Sequence, residues 1–264
     1  MVVQPVRAWH QLTGAARAAW AARGAFPPAR RSSLSGPAGQ QRHYTWVRVP
    51  LADVKAVKNE LGGTVNDVVL AAITAGFRTM LLHRGETPRP HMVPSLVPVS
   101  LRPVGGESIY DNEVSAMIVD LPVHLADPVD QLAAVSRELR VLKKQDEARL
   151  GEVLENAARL VPYPAWAAFV RLGFRLPQRE IVTVTTNVPG PRHTLYCLQR
   201  QLMEIFPYVP IASTVRIGVA IFSYGDQVTF GLTGDWDTTP DLDVLADGVS
   251  DGLASLVKST GSAG

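Results

Sequence analysis

The chain has 264 residues, 46% of them hydrophobic and 19% charged, enough for one large α/β domain or two small ones and too apolar for a mostly disordered chain. Its single cysteine, Cys197, excludes an intramolecular disulfide and any multi-cysteine metal site, and fits a reducing compartment. The net charge of +2 is unevenly spread: residues 1–50 hold seven arginines (Arg7, Arg17, Arg23, Arg30, Arg31, Arg42, Arg48) and no lysine, aspartate or glutamate, leaving a net acidic remainder.

An arginine-rich, acid-free N-terminus is compatible with a transit peptide, a contact with an anionic membrane, or a linker, and the linker reading is preferred. No secretory core is present in the first residues. No stretch approaches ~18 uninterrupted apolar residues, so a membrane-spanning helix is not expected.

In chain order, residues 15–23 are alanine-rich and predict a helix. Residues 27–39 are rich in Pro, Gly and Ser and read as an irregular strap. Residues 43–49 alternate like a strand, and residues 51–61 place Leu51, Val54, Val57 and Leu61 at helical spacing, closed by Gly62-Gly63. Thr64-Val65-Asn66-Asp67 then opens an apolar helix with a near capping-box pattern, and Val65, Val68, Val69, Ala72, Ile73, Phe77 and Met80 give it a buried face up to Gly85. Residues 91–99 and 114–121 read as buried strands. Asp127-Pro128 starts a helix expected to end near Arg149. Residues 151–180 predict two helical pieces broken by Pro162 and Pro164. A short strand over 181–186, a hairpin of 215–224 with 227–236 across Gly225-Asp226, and an amphipathic helix over 242–257 complete the order. Strands alternating with helices and ending in a hairpin predict an α/β fold, a mixed sheet with helices packed on it.

Catalytic signatures are mostly missing. There is no Walker loop, G-x-G-x-x-G, G-x-S-x-G or H-E-x-x-H. The six histidines (His10, His43, His83, His91, His124, His193) are scattered without metal-ligand spacing, so no metal and no catalytic residue is assigned from them. No nucleic-acid-binding module is visible.

Several blocks nevertheless resemble the second half of the bacterial wax ester synthase/diacylglycerol acyltransferase family. Ser33-Leu34-Ser35-Gly36-Pro37 resembles its L-N-G-P stretch. Pro50 to Val57, followed by Gly62-Gly63-Thr64-Val65-Asn66-Asp67-Val68-Val69-Leu70-Ala71, is similar to its N-D block. Val97-Pro98-Val99-Ser100-Leu101-Arg102 is similar to its P-V-S-L-R strand. Asn112-Glu113-Val114-Ser115 resembles G-N-x-x-S, with Asp111 where glycine is usual, and Thr186-Asn187-Val188-Pro189-Gly190-Pro191 resembles S-N-V-P-G-P. The resemblance implies a chloramphenicol-acetyltransferase-like second lobe: a strap with a basic helix over 1–42, the C-terminal domain over 43–258, and a flexible tail over 259–264.

It also implies acyl transfer from acyl-CoA, a substrate rather than a cofactor, to diacylglycerol or a long-chain alcohol. The family's general base is the second histidine of an H-H-x-x-x-D-G motif in the first lobe; no two histidines are adjacent here. An alcohol is a poor nucleophile without a positioned base, so the chain is expected to be inactive without such a lobe. The implied partners are that complementary lobe or a second copy, with a cytoplasmic placement and a peripheral membrane or lipid-droplet surface as an option. The competing reading is a non-catalytic domain that binds acyl-CoA or a lipid surface.

Four residues are candidates for substrate binding or active-site support: Asn66, Asp67, Arg102 and Asn187. The resemblance implies two similar lobes with the active site in a tunnel between them and puts Asn66 and Asp67 near that tunnel, whereas local chemistry offers Asp67 as a helix cap and Asn66 as a first-turn polar residue. Asn187 either lines the tunnel or anchors a strand end next to a sharp turn. Arg102 either meets a phosphate of coenzyme A or is merely solvated. The aromatic and arginine-bearing stretch 166–179 either docks on a lipid surface or packs on the sheet.

Overall fold

A computed structural model describes residues 29–100, 114–157, 181–191, 193–211 and 214–261. Its centre is a six-stranded mixed sheet in the order β1-β8-β7-β4-β2-β3. The strands are β1 (Arg42–Pro50), β2 (Pro94–Ser100), β3 (Val114–Asp120), β4 (Thr183–Pro189), β7 (Ile217–Tyr224) and β8 (Gln227–Asp235). A separate ribbon pairs β5 (Tyr196–Cys197) with β6 (Arg200–Gln201). The helices are α1 (Leu51–Leu61), α2 (Val65–His83), α3 (Pro128–Ala157) and α4 (Leu242–Thr260). The pairs β1–β8, β7–β8 and β2–β3 are antiparallel, while β4 runs parallel to both β2 and β7.

Local chemistry sets the helix boundaries. Pro50, extended at the end of β1, precedes α1, and Gly62 at φ 85° ends it. At α2 the Thr64 hydroxyl accepts from the Asp67 amide while the Asp67 carboxylate accepts from the Thr64 amide, a full capping box. Among the described residues α2 alone is long and apolar enough to cross a membrane; in this fold it is the central core helix, largely buried and packed on α3 and α4. The α2–α4 contact is close because glycines face it: a Cβ on Gly248 would lie 2.9 Å from the Gly76 Cα and 2.8 Å from the Thr79 Cβ.

β7 and β8 are buried along most of their length because the sheet is covered on two sides. α2 and α4 cover one face. On the other lies the extended segment 203–211: the Tyr44 hydroxyl donates to the Pro207 carbonyl at 3.0 Å, and a Cβ on Gly218 would meet Val209 and Ile211 at 2.8 Å.

The strap is pinned rather than loose. Leu34 is 1% exposed and belongs to the core. The Arg216 guanidinium donates to the Ser33 carbonyl at 2.9 Å, and Arg84 donates to the Ser33 hydroxyl at 2.9 Å. The Gly39 amide donates to the carboxylate of Asp235. Burial alone would raise the pKa of Asp235, but hydrogen bonds from Thr238 and Gly39, with the charge of Arg42, hold it below the usual carboxylate range.

Several expectations require correction. β2 begins at Pro94, not residue 91, because His91 takes a left-handed conformation (φ 61°) that belongs to a turn. α3 passes the expected stop near Arg149 and runs to Ala157, so residues 151–157 continue it rather than opening a new piece; Gly151 is tolerated inside the helix. β4 continues to Pro189, whose missing N–H is acceptable at a strand end. α4 extends to Thr260, into the segment read as a flexible tail. The β5–β6 ribbon was not expected at all. The helix expected over 15–23 and the stretch 166–179 lie outside the described residues.

Candidate functional site

β4 is flanked by two parallel neighbours but treats them differently. It pairs with β7 over its full length, Thr183↔Ile217 to Pro189↔Ser223. With β2 the register is confined to Ser95↔Thr183 and Leu96↔Val184. Among the described residues the β2–β4 ladder goes no further and is left open toward the carboxyl ends, where open α/β sheets place their ligands. Beneath the opening, the Ser95 hydroxyl donates to the Thr185 hydroxyl at 2.8 Å and the Thr183 hydroxyl to the Ile217 carbonyl at 2.9 Å, both buried.

The first turn of α2 arrives at this opening. The Asn187 side-chain amide donates to the Asn66 side-chain carbonyl at 3.2 Å, across 121 residues of sequence. Both side chains are half-buried. The bond leaves the Asn66 amide hydrogens and the Asn187 carbonyl free to meet a ligand's carbonyl or hydroxyl. The N-terminus of α2 adds partial positive charge.

Asp67 sits behind Asn66 and is 4% exposed. Its Oδ1 accepts from the Thr64 hydroxyl at 2.7 Å, and its Oδ2 from the Thr64 amide at 3.0 Å and the Ser136 hydroxyl at 2.9 Å. These bonds cap α2 and tie it to α3. They require a glycine next door: a Cβ on Gly63 (φ 86°) would stand 2.9 Å from both Asp67 Oδ2 and Ser136 Oγ. Asp67 therefore braces the first turn of α2, and Asn66 and Asn187 meet at the end of β4. Arg102 lies outside the described residues.

Carboxamides and aliphatic hydroxyls do not take up a proton near neutral pH, so this arrangement can bind and orient a substrate but cannot serve as its general base. His83 is at the opposite end of α2 from Asn66.

Two carboxylates with raised pKa lie elsewhere, at the amino end of β2, where Pro94 pairs with Asp120. Burial pushes Glu138 up to about 7, against the lowering effect of the hydrogen bond it accepts from the Asp120 amide. Burial also raises Asp120, although His91 Nδ1 stands 2.9 Å from its Oδ2 and favours the charged form. Sequence reasoning missed this cluster, since no spacing rule connects a turn, a strand end and a mid-helix glutamate. Among the described residues no three His, Cys, Asp or Glu side chains are grouped to hold a metal.

Comparison with known proteins adds a family pattern to this geometry. Residues 110–257 match the family model "WS/DGAT C-terminal domain", and residues 1–69 match "Wax ester synthase/diacylglycerol acyltransferase catalytic domain". A Mycobacterium tuberculosis H37Rv protein named "Probable diacyglycerol O-acyltransferase tgs1" is 43% identical over 89% of this chain and 51% of its own length. The solved wax ester synthase/diacylglycerol acyltransferase from Marinobacter aquaeolei VT8 superposes with a TM-score of 0.68 at 26% identity, covering 90% of this chain and 54% of that one. A condensation domain that releases chains from the enacyloxin polyketide synthase shares the fold at a TM-score of 0.52 and 16% identity, over 90% of this chain and 46% of that one. The chain spans about half the length of the curated relatives it matches.

Proposed function

Because this chain belongs to the wax ester synthase/diacylglycerol acyltransferase family, we propose that it forms one wall of an acyl-transfer site. There an acyl group passes from acyl-CoA to the hydroxyl of diacylglycerol or a long-chain alcohol, yielding triacylglycerol or wax ester. The observation that carries this reading is the Asn187–Asn66 hydrogen bond. It joins two separate family-like blocks beyond the end of the β2–β4 ladder.

In the reaction the alcohol oxygen attacks the thioester carbonyl. The new C–O bond replaces the C–S bond, coenzyme A leaves as the thiol, and the hydroxyl proton passes to a base. Asn66 and Asn187 hold the polar groups of the substrate in line for attack, an orienting contribution. The family resemblance assigns the base to the second histidine of a paired-histidine motif in a first lobe; no two of the six histidines here are adjacent. Without that lobe the chain turns over little or no substrate. We place it in the cytoplasm, peripheral to a membrane or lipid droplet where both lipid substrates reside.

The test is to supply a first-lobe polypeptide carrying the paired histidines and to measure ester formation from acyl-CoA and diacylglycerol. Product is expected only with both components. Asn187→Ala should cut the rate about tenfold or more while the chain stays folded, with a melting temperature lower by no more than the few degrees that loss of one hydrogen bond implies. Robust synthesis by the purified chain alone would overturn the assignment of the base, and failure of the pair under conditions where full-length relatives work would overturn the role.

A second reading, a non-catalytic domain that holds acyl-CoA or a lipid surface, is favoured by one feature. Tyr196, Leu198, Met203 and Tyr208 are 69%, 93%, 73% and 56% exposed, beside the half-exposed Trp46 and Phe206. Such a run of large apolar side chains marks an interaction surface. Saturable binding of a long-chain acyl-CoA with no turnover in the presence of the first lobe would select this reading.

A further inference from the structure

Between the strap and the α2–β2 connection lies a cavity of about 390 Å³, lined by Arg30, Arg31, Glu86, Thr87, Arg89 and Met92. The backbone around it is held at several points. The Arg30 amide donates to the His91 carbonyl at 2.7 Å. The Ser33 amide donates to both Glu86 oxygens, at 3.1 and 3.3 Å. The Arg89 amide donates to the Met92 sulfur at 3.1 Å, and the buried Leu34 anchors the strap in the core.

The arginines that line it carry uncommitted guanidinium groups. The two arginines that hold Ser33, Arg84 and Arg216, are engaged: Arg84 pairs with Asp241, and Arg216 donates to the carbonyls of Ser33 and Pro37. Arg30, Arg31 and Arg89 make no side-chain hydrogen bond or ion pair among the described residues. Glu86, whose carboxylate accepts from the Ser33 amide, offsets one of the three charges. Three arginines against one glutamate leave a formal surplus of two positive charges. Like charges gathered in one concavity repel and are relieved by an anion. The planar guanidinium fork fits tetrahedral phosphate oxygens two at a time, and the Thr87 hydroxyl adds a further donor.

We propose that this cavity is a binding site for a phosphate group, carried by an anionic phospholipid headgroup or by a soluble phosphate ester. It is separate from the acyl-transfer opening. The cavity lies beyond the C-terminal end of α2 and Asn66 in its first turn, so the two are about 28 Å apart along a 19-residue helix. The site accounts for the adjacent pair Arg30-Arg31 in the acid-free arginine segment, and it holds whether or not the chain takes part in acyl transfer.

The experiment titrates the 264-residue chain with inorganic pyrophosphate by calorimetry. In parallel, it measures flotation with vesicles of one part phosphatidic acid to two parts phosphatidylcholine, against pure phosphatidylcholine. The triple substitution Arg30→Ala, Arg31→Ala and Arg89→Ala should weaken binding about tenfold or more. Lys55→Ala with Arg137→Ala and Arg140→Ala, which removes the same charge from exposed positions on α1 and α3, should leave it intact. Arg31→Glu, at an exposed position outside any helix or strand, is the second variant and should abolish binding while the melting temperature holds. Pyrophosphate binding that follows this pattern identifies a soluble ester as the source. Flotation that needs phosphatidic acid and follows the same pattern, without pyrophosphate binding, identifies the headgroup. No binding of either probe, or equal losses in the two triple variants, overturns the proposal.

Discussion

Replacing Asp67 with alanine removes one carboxylate that three donors share, and the cost can be assembled from those contacts. Loss of the cap costs about 1 kcal/mol. Loss of a negative charge from the first turn of α2 adds about 0.3–1 kcal/mol through the helix dipole. The Ser136 hydroxyl, buried beside it, loses its acceptor for about 1 kcal/mol. The Thr64 amide is less costly to orphan because Thr64 is exposed and water can replace the carboxylate. The expected total is about 2–3 kcal/mol, a sizeable part of a typical domain stability of about 5–15 kcal/mol. Urea unfolding followed by circular dichroism reads it as a lower midpoint at unchanged slope. Asp67→Asn keeps the shape but turns an amide toward donors, and should fall between alanine and wild type. A loss under about 0.5 kcal/mol for Asp67→Ala would refute the reasoning, since surface substitutions alone reach that size.

Glu138 predicts a pH dependence. Its pKa rises from 4.5 to about 7 on folding, so the native state holds the extra proton between those values and stability is lost as pH climbs through that window. About 2.5 pH units at about 1.4 kcal/mol each bound the loss at about 3.5 kcal/mol, and partial exposure of the side chain reduces it to about 1–2 kcal/mol. Glu138→Gln keeps an acceptor for the Asp120 amide and removes the titration. It should therefore be more stable than wild type at pH 8 by that amount and indistinguishable from it near pH 4; equal melting profiles across the window would contradict this. At the α2–α4 contact, Gly248→Ala gains about 1 kcal/mol of helix propensity. It also places a methyl against the Gly76 backbone, which cannot rotate away; overpacking of this kind costs about 1–3 kcal/mol. A net drop in melting temperature is expected, and a rise would mean that the two helices separate freely.

Much of the secondary structure was legible because the groups that decide it are near one another in sequence. Thr64 and Asp67 satisfy each other three residues apart, so the start of α2 could be read before any packing was known. Gly62 ends α1 with the positive φ that glycine allows, and Gly225 (φ 59°) turns β7 into β8 in the same way. The β5–β6 ribbon had no such signal: its turn places Leu198 (φ 49°) and Gln199 (φ 65°) in the left-handed region without a glycine, at a local cost of about 1–2 kcal/mol per residue that no turn rule anticipates. The end of α3 was misjudged because a glycine stop and a tolerated mid-helix glycine look alike in one dimension.

The sequence by itself determined the helices and strands with clear local signals, the α/β class, and the resemblance that names the family, since each rests on side chains within a few positions or on ordered blocks. Only the tertiary structure decided that the β2–β4 ladder ends at Leu96 and Val184, that Asn187 reaches Asn66, and that Arg30 and Arg31 meet Arg89 around one cavity. Such contacts form when the burial of a whole core repays the entropy of closing long loops. That balance depends on all the packed residues together and leaves no mark at the positions it joins.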